Sequence, residues 1–255
     1  MAHNDQPQQA TPDQRQTDSV SQAGADECRE LTVTSRALQD VAKILSHDLR
    51  APVNRITSFC RMLADECGGE LTPAGHNYLK RAEDAAGSLD GMIAALVDWI
   101  RLPYQELATG ECDLSQLAEQ IVRAWQVTSP DRCCELRVAP GIRANGDPRL
   151  LKLALEQLLA NAWKFTGQTA DAVIEFGEVG GAADRTFFVR DNGAGFDMQF
   201  AHRLFTPFQR LHLVDEFPGL GIGLAMVRRV VECHGGKVWA EGAEGVGATF
   251  SFTLS

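Results

Sequence analysis

Four short stretches of the chain combine residue types that can do chemistry. The first is Ser46-His47-Asp48-Leu49-Arg50-Ala51-Pro52. A neutral imidazole can attack an electrophilic phosphorus if a base accepts the proton on its other nitrogen, and Asp48 is next in sequence to act as that base. Pro52 lacks a backbone donor four residues after Asp48, so a bend beside the histidine is expected. The second stretch runs from Glu156 to Thr166. Its apolar stripe of Leu151, Leu155, Leu158, Leu159 and Ala162 leaves Glu156, Asn161 and Lys164 unexplained. A side-chain amide oxygen suits Mg²⁺, and a lysine one turn later suits phosphate oxygens. The third is Asp191-Asn192-Gly193-Ala194-Gly195-Phe196-Asp197. Here glycines permit close approach of the backbone to a ligand, and a carboxylate can accept from an exocyclic amine such as that of adenine. The fourth, Gly219-Leu220-Gly221-Ile222-Gly223, leads into a helix whose first amides can face phosphates. Taken singly, each has an ordinary reading: an exposed histidine, a solvated helix face, a turn, a glycine loop.

These residues need elements to hold them. Residues 1 to 30 are polar and nearly free of large apolar side chains, which predicts a disordered tail. From Leu38 an apolar heptad runs through Ala42, Leu45, Leu49, Pro52, Ile56, Phe59 and Leu63, the pattern of a helical-bundle seam. In that register His47 points away from the seam. The helix should end before Gly68-Gly69, and Thr72-Pro73 supplies an N-cap and a first-turn proline for a second helix. A second heptad follows through Leu79, Ala82, Ala86, Leu89, Ile93, Leu96 and Ile100. One antiparallel hairpin has too few layers to enclose its stripe, so two copies are expected to pair as a four-helix bundle. Beyond Pro103 helices are expected over 114–125, 148–163 and 223–233. Strands are expected over 135–138, 172–176, 186–190, 237–240 and 249–254. That makes an α+β chain with a helical layer on a mixed sheet. The expected domains are 31–108 and 109–255.

Composition narrows the partners. The 255 residues carry a formal net charge of -10, which argues against holding nucleic acid by phosphate neutralisation. The longest apolar run, Met92 to Val97, falls far short of the roughly 20 residues that span a bilayer, so no membrane segment is expected. The polar N-terminus has no apolar signal core, which makes the cytoplasm the default compartment. The 7 cysteines include no CxxC pair, so neither a disulfide framework nor a zinc site is suggested.

Taken in order, the stretches resemble the motifs of bacterial sensor histidine kinases of two-component systems. SHDLRAP looks like the histidine box, EQLLANAWKFT the asparagine box and DNGAGFD the first glycine box. LFTPFQRLH looks like the phenylalanine box, and GLGIGLAMVRRVVECHGG the second glycine box. The run from Phe205 to Gly236 is most similar to kinase modules attached to phytochrome-type photosensors. The resemblance implies a dimeric phosphotransfer bundle followed by an ATP-binding α/β sandwich of the Bergerat type. His47 would be the phosphoacceptor and Asp48 its base. Asn161 would hold Mg²⁺, and Asp191 would accept from the adenine amino group. Gly193, Gly195, Gly219, Gly221 and Gly223 would shape the pocket and the hinges of a lid spanning about 196–220. Lys164 and Arg210 would neutralise phosphate charge, while Phe205 and Phe208 would dock the lid. The implied reaction is autophosphorylation on His47 by ATP and transfer to an aspartate on the receiver domain of a response regulator. The input would come either from a separate sensor protein docking on the bundle or from a sensor part of a longer chain, and the sequence leaves both open.

Two departures from the pattern matter. Gln157 stands where the asparagine box usually has its first asparagine. Ala51 stands four residues after His47, where relatives with phosphatase activity usually carry threonine or asparagine. Alanine has no polar side-chain atom to orient a water, so phosphatase activity is expected to be weak. Two other readings stay open: a dimeric scaffold or phosphohistidine relay without turnover, and an ATPase acting on water.

Overall fold

The computed structural model describes residues 44, 47–104, 106–181, 184–211, 217 and 219–255. The tail expected over 1–30, and the heptad positions Leu38, Ala42 and Leu45, lie outside the described residues. Helix α1 covers 47–67, and a 3-10 turn at Gly68–Glu70 ends it at the glycine pair. Thr72 then caps α2, Pro73–Arg101, by accepting from the Gly75 amide at 3.1 Å, with Pro73 in the first turn. The hairpin packs Val53 of α1 against Ala86 and Ile93 of α2. Arg50 reaches across to Asp90, Nε to Oδ1 at 3.1 Å.

The expected seam of α1 is not what packs inside one hairpin. Leu49, Ile56, Phe59 and Leu63 are 45–62% exposed, while Val53 and Cys60 are buried. Adjacent helix positions differ by about 100° of rotation, so the face that meets α2 and the face carrying the apolar heptad are different stripes of one helix. The heptad stripe is left without cover in a single copy.

The rest of the chain forms β1 (Gly110–Asp113), α3 (Leu114–Thr128), β2 (Glu135–Val138), β3 (Arg143–Gly146), α4 (Pro148–Phe165), β4 (Val173–Val179) and β5 (Thr186–Asp191). After these come α5 (Gly223–Cys233), β6 (Val238–Ala243) and β7 (Gly247–Phe252). A five-stranded sheet has the order β2-β4-β5-β7-β6, parallel only between β2 and β4. Ile174, Phe176, Phe187, Val189, Phe250 and Phe252 alternate onto one face of it. They share a core with Leu151, Leu155, Leu158 and Leu159 of α4 and Val227, Val230 and Val231 of α5. The result is the expected α/β sandwich of a mixed sheet under helices.

The sequence pattern did not announce β1 and β3. They form a separate antiparallel pair, joined by the exposed Arg143–Glu111 ion pair at 2.9 Å. At four residues each, with the sequences GECD and RANG, neither shows the period-two apolar pattern that marks a strand. The two regions meet where α2 ends: Leu102 is 3% exposed within the α/β core, and the Arg229 guanidinium of α5 lies 4.7 Å from the Trp99 ring. Among the described residues, no helix is long and apolar enough to cross a membrane.

Candidate functional site

Two cavities hold the chemistry-bearing residues, and they share no wall. The first, of about 520 Å³, lies beside His47. Residues 47, 50, 51 and 54 fall on one face of α1, so His47, Arg50, Ala51 and Asn54 line it together. Ala94, Val97, Asp98 and Arg101 of α2 face them. The His47 side chain is 85% exposed, and its Nδ1 lies 3.1 Å from Asp48 Oδ1. With Nδ1–H donating to that carboxylate, the lone pair sits on Nε2.

The second cavity, of about 270 Å³, lies between α4, the end of β5 and the start of α5. Helix α4 is set at its first turn by Asp147, which is fully buried and accepts from the Arg149 and Leu150 amides. The Arg149 guanidinium holds this carboxyl well below the usual range. Asp147 Oδ2 also accepts from the Ala108 amide at 3.0 Å, so the segment arriving from the hairpin is tied to the start of α4. His234 completes the anchor: Nε2 accepts from the Asp147 amide at 2.9 Å, and Nδ1–H donates to the Val230 carbonyl at 2.8 Å. From this anchored helix, Gln157, Asn161, Lys164 and Phe165 reach the cavity at one-turn spacings.

Asp191 enters from the end of β5 and is only 5% exposed. Burial pushes its carboxyl up to about 6, against the opposing pull of the Gly193 and Ala248 amides. Gly193 does not line the cavity. It supports Asp191 by donating to Oδ1 at 2.9 Å, and a Cβ there would come 2.5 Å from the Phe165 carbonyl oxygen. Gly195 does line it, at φ +63°, where a Cβ would fall 1.9 Å from the Ala243 carbonyl oxygen, so only glycine fits. Gly219, Gly221 and Gly223 form the opposite side with Arg210. Burial, together with the charge of Arg210, lowers Lys164 to about 8. Phe205 and Phe208 are not among the walls.

The cavity thus gathers Asn161, Lys164, Asp191, Gly195, Gly219, Gly221, Gly223 and Arg210, but neither Gly193 nor the His47–Asp48 pair. Sequence reasoning did not single out the apolar walls Phe165, Phe196, Phe217 and Leu220. For Phe165 a signal was present: it stands one turn beyond Asn161 on the same helix face. Phe217 lies in loop sequence, where no period exists to read.

Comparison with known proteins agrees with this division. The family model described as His Kinase A (phospho-acceptor) domain matches residues 37–104. The model described as Histidine kinase-, DNA gyrase B-, and HSP90-like ATPase matches residues 146–255. Together they define the chain as the catalytic core of a bacterial sensor histidine kinase, a hairpin with its phosphoacceptor followed by an ATPase-type sandwich. Cyanobacterial phytochrome A of Nostoc sp. is 29% identical over 242 residues, covering 94% of this chain and 31% of the relative. Phytochrome-like protein Cph1 of Synechocystis sp. is 27% identical over 240 residues, with the same two shares. The chain therefore spans about a third of the length of these curated relatives. Among solved structures, full-length ShkA in complex with AMPPNP superposes with a TM-score of 0.62 at 25% identity, over 84% of this chain and 45% of that one.

Proposed function

We propose that this chain, as a homodimer in the cytoplasm where ATP is supplied, phosphorylates His47 from ATP and passes the phosphoryl group to an aspartate on a response regulator's receiver domain. Residues 31–108 form the dimerisation and phosphotransfer domain, and residues 109–255 the ATP-binding domain. The observation that carries this reading is the 3.1 Å contact between His47 Nδ1 and Asp48 on an otherwise open helix face. Asp48 holds the Nδ1 proton and makes Nε2 the nucleophile. Nε2 attacks the γ-phosphorus, the bond to the β–γ bridging oxygen breaks, and ADP leaves with that electron pair.

In the pocket, Asp191 accepts from the adenine amino group, with Gly193 holding the carboxylate in place. Lys164 and the amides at the start of α5 meet the phosphates. The Asn161 amide oxygen fits Mg²⁺, which takes one or two protein oxygens and completes its shell with phosphates and water. When bound, Mg²⁺ would neutralise charge on the phosphates. Because the His47 groove and the nucleotide pocket share no residue, transfer requires that an ATP-binding domain, of the same or the second copy, be brought to His47. The unpaired stripe of Leu49, Ile56, Phe59 and Leu63 supports the dimer. Glu156 is paired with Lys152 at 3.7 Å and is not among the pocket walls, which favours histidine over water as the acceptor.

Incubation with labelled ATP tests the reading. Acid-labile, base-stable label should appear in the protein and be lost in His47→Gln. Label that survives this substitution sinks the assignment of the acceptor.

A further inference from the structure

Lys164 stands in the last turn of α4, where backbone carbonyls have no partner within the helix. Each of the four is met from outside. The Thr166 amide and hydroxyl donate to the Ala162 carbonyl at 3.1 and 2.7 Å, the Gly167 amide donates to that of Lys164 at 3.1 Å, and the Ala194 amide to that of Phe165 at 3.1 Å. The Trp163 carbonyl takes a side chain instead. Arg132, in the loop between α3 and β2, donates to it through Nη2, which also donates to Thr166 Oγ1 at 2.9 Å. The Thr166 hydroxyl lies 3.2 Å from the same carbonyl, but its one hydrogen serves Ala162. The Arg132 guanidinium lies over the Trp163 ring, 3.9 Å from the centroid, and the Trp125 ring of α3 stands 5.9 Å from that of Trp163. Its loop is pinned in turn. The Arg132 amide donates to the Ser129 carbonyl at 3.1 Å, and Gln126 Nε2 of α3 donates to the Cys134 carbonyl at 3.2 Å.

We propose that Arg132, which is not among the pocket walls, is a positioning residue that caps α4 at Trp163 and so holds Lys164 toward the phosphates of the nucleotide. The proposal deepens the nucleotide reading above and rests on it. Without Arg132 the Trp163 carbonyl loses its donor at a half-buried helix end, and the turn that carries Lys164 frays. A guanidinium there also meets the negative end of the helix dipole, and its plane stacks on the indole as an ammonium cannot. The turn it holds is aimed at the glycine side. Lys164 Nζ lies 4.2 Å from the Phe165 centroid, and a Cβ on Gly219 would come 3.5 Å from it. Asp191 is held separately, by the Gly193 and Ala248 amides, so Arg132 serves the phosphates and not the base.

The roles separate in a displacement assay on the full chain, in which ATP or adenosine competes with a fluorescent ATP analogue. Lys164→Met should weaken ATP and spare adenosine. Arg132→Met should do the same by a smaller factor, about fivefold for ATP. The double variant should bind ATP no more weakly than Lys164→Met alone, because Arg132 acts through Lys164. Arg132→Lys keeps the charge but gives up the planar fork and its stacking, so it should show the same loss confined to ATP, and it carries the test if Arg132→Met does not fold. The proposal is overturned if the Arg132 variants weaken ATP and adenosine equally, as a general loosening would, or leave ATP binding unchanged. It is also overturned if Arg132→Met weakens ATP further in the Lys164→Met background, or if Lys164→Met itself leaves ATP unaffected. If the parent chain binds neither ligand, the nucleotide reading itself falls and takes this proposal with it.

Discussion

In the hairpin, Leu49, Ile56, Phe59 and Leu63 stand 45–62% exposed along one helix, whereas in the α/β domain Leu158, Leu159, Ile174, Phe176 and Val189 are wholly buried. Both regions carry apolar stripes of similar strength in sequence, so the difference lies in layers. A sheet under three helices encloses its own core, and the hairpin's internal cluster amounts to Val53, Ala86 and Ile93. One region encloses its apolar stripe within a single copy, and the other leaves its stripe exposed, the surface that the proposed dimer would cover. The site chemistry divides the same way. The nucleotide pocket buries Asp191 and Lys164 and shifts their ionisation, while His47 stands in the open beside Asp48.

The largest expected effect breaks the complete region. Phe176→Ala should cost about 3–5 kcal/mol by leaving a cavity between α4 and the sheet, and denaturant unfolding of the α/β domain should show it. Leu102→Ala tests whether the boundary at 108 separates the two regions energetically. Leu102 belongs to the hairpin side in sequence but is 3% exposed inside the α/β core, so its removal should cost about 2–5 kcal/mol of that domain's stability. Phe59→Asp should do the reverse. It should weaken the dimer by about 2 kcal/mol or more, as at the centre of an interface, and leave α/β unfolding unchanged. Sedimentation would show monomers, and a dimer that persists would remove the argument from the exposed stripe.

The sequence carried most of this architecture because its signals were local. Thr72-Pro73, Asp113 and Pro148 start helices as capping rules require, and the buried strands read as apolar runs. What it did not carry depends on tertiary contact. The β1–β3 pair is specified by its partner strand and not by its own composition. The heptad of α1 was legible as a stripe, but which stripe would meet α2 was not, since Val53 and Cys60 complete a second one. In the site, Asn161 and Lys164, with Glu156, stood out as polar residues that no apolar stripe explained, and Asp191 as a carboxylate among glycines after a strand. The Asp147–His234 anchor links residues distant in sequence, which spacing cannot reveal, and the support of Asp191 by Gly193, though local, lies in a loop with no period to read.

Asp191 turns the enclosure of the pocket into a dependence on pH. Its folded-state value, about 6, lies above the ordinary carboxylate value of 3.8, so the folded chain holds the proton more tightly than the unfolded chain. The carboxyl therefore costs stability above about pH 6, and the cost disappears as the pH falls toward 4. The proposed adenine recognition would run the other way, because its acceptor is the carboxylate, which is lost as the pH drops through 6. Asp191→Asn should raise the stability of the ligand-free chain at pH 7.5 by about 1 kcal/mol, since desolvated charge is removed while an acceptor for the Gly193 amide remains. The same variant should bind ATP poorly and lose the steepening of affinity loss near pH 6. Thermal unfolding and binding titrations across pH 5–8 would show both, and a destabilised variant would contradict the burial argument.

The smallest expected structural effect lies on the open side, at Ala51. It shares the groove with His47, Arg50 and Asn54, and it presents only a methyl group there. Threonine at this exposed helical position should cost less than about 0.7 kcal/mol, within the range of helix propensities. Its hydroxyl would add a polar atom one turn from the imidazole, able to hold a water against the phosphorylated aspartate of a docked receiver domain. Ala51→Thr should thus accelerate loss of the regulator's phosphate while autophosphorylation and dimerisation stay unchanged. Asn54, two turns from His47 in the same groove, is the internal control. If the parent chain already strips the regulator rapidly and Asn54→Ala abolishes this, the water is oriented from Asn54, and Ala51 does not limit the reaction. If neither substitution changes the rate, the groove beside His47 takes no part in dephosphorylation.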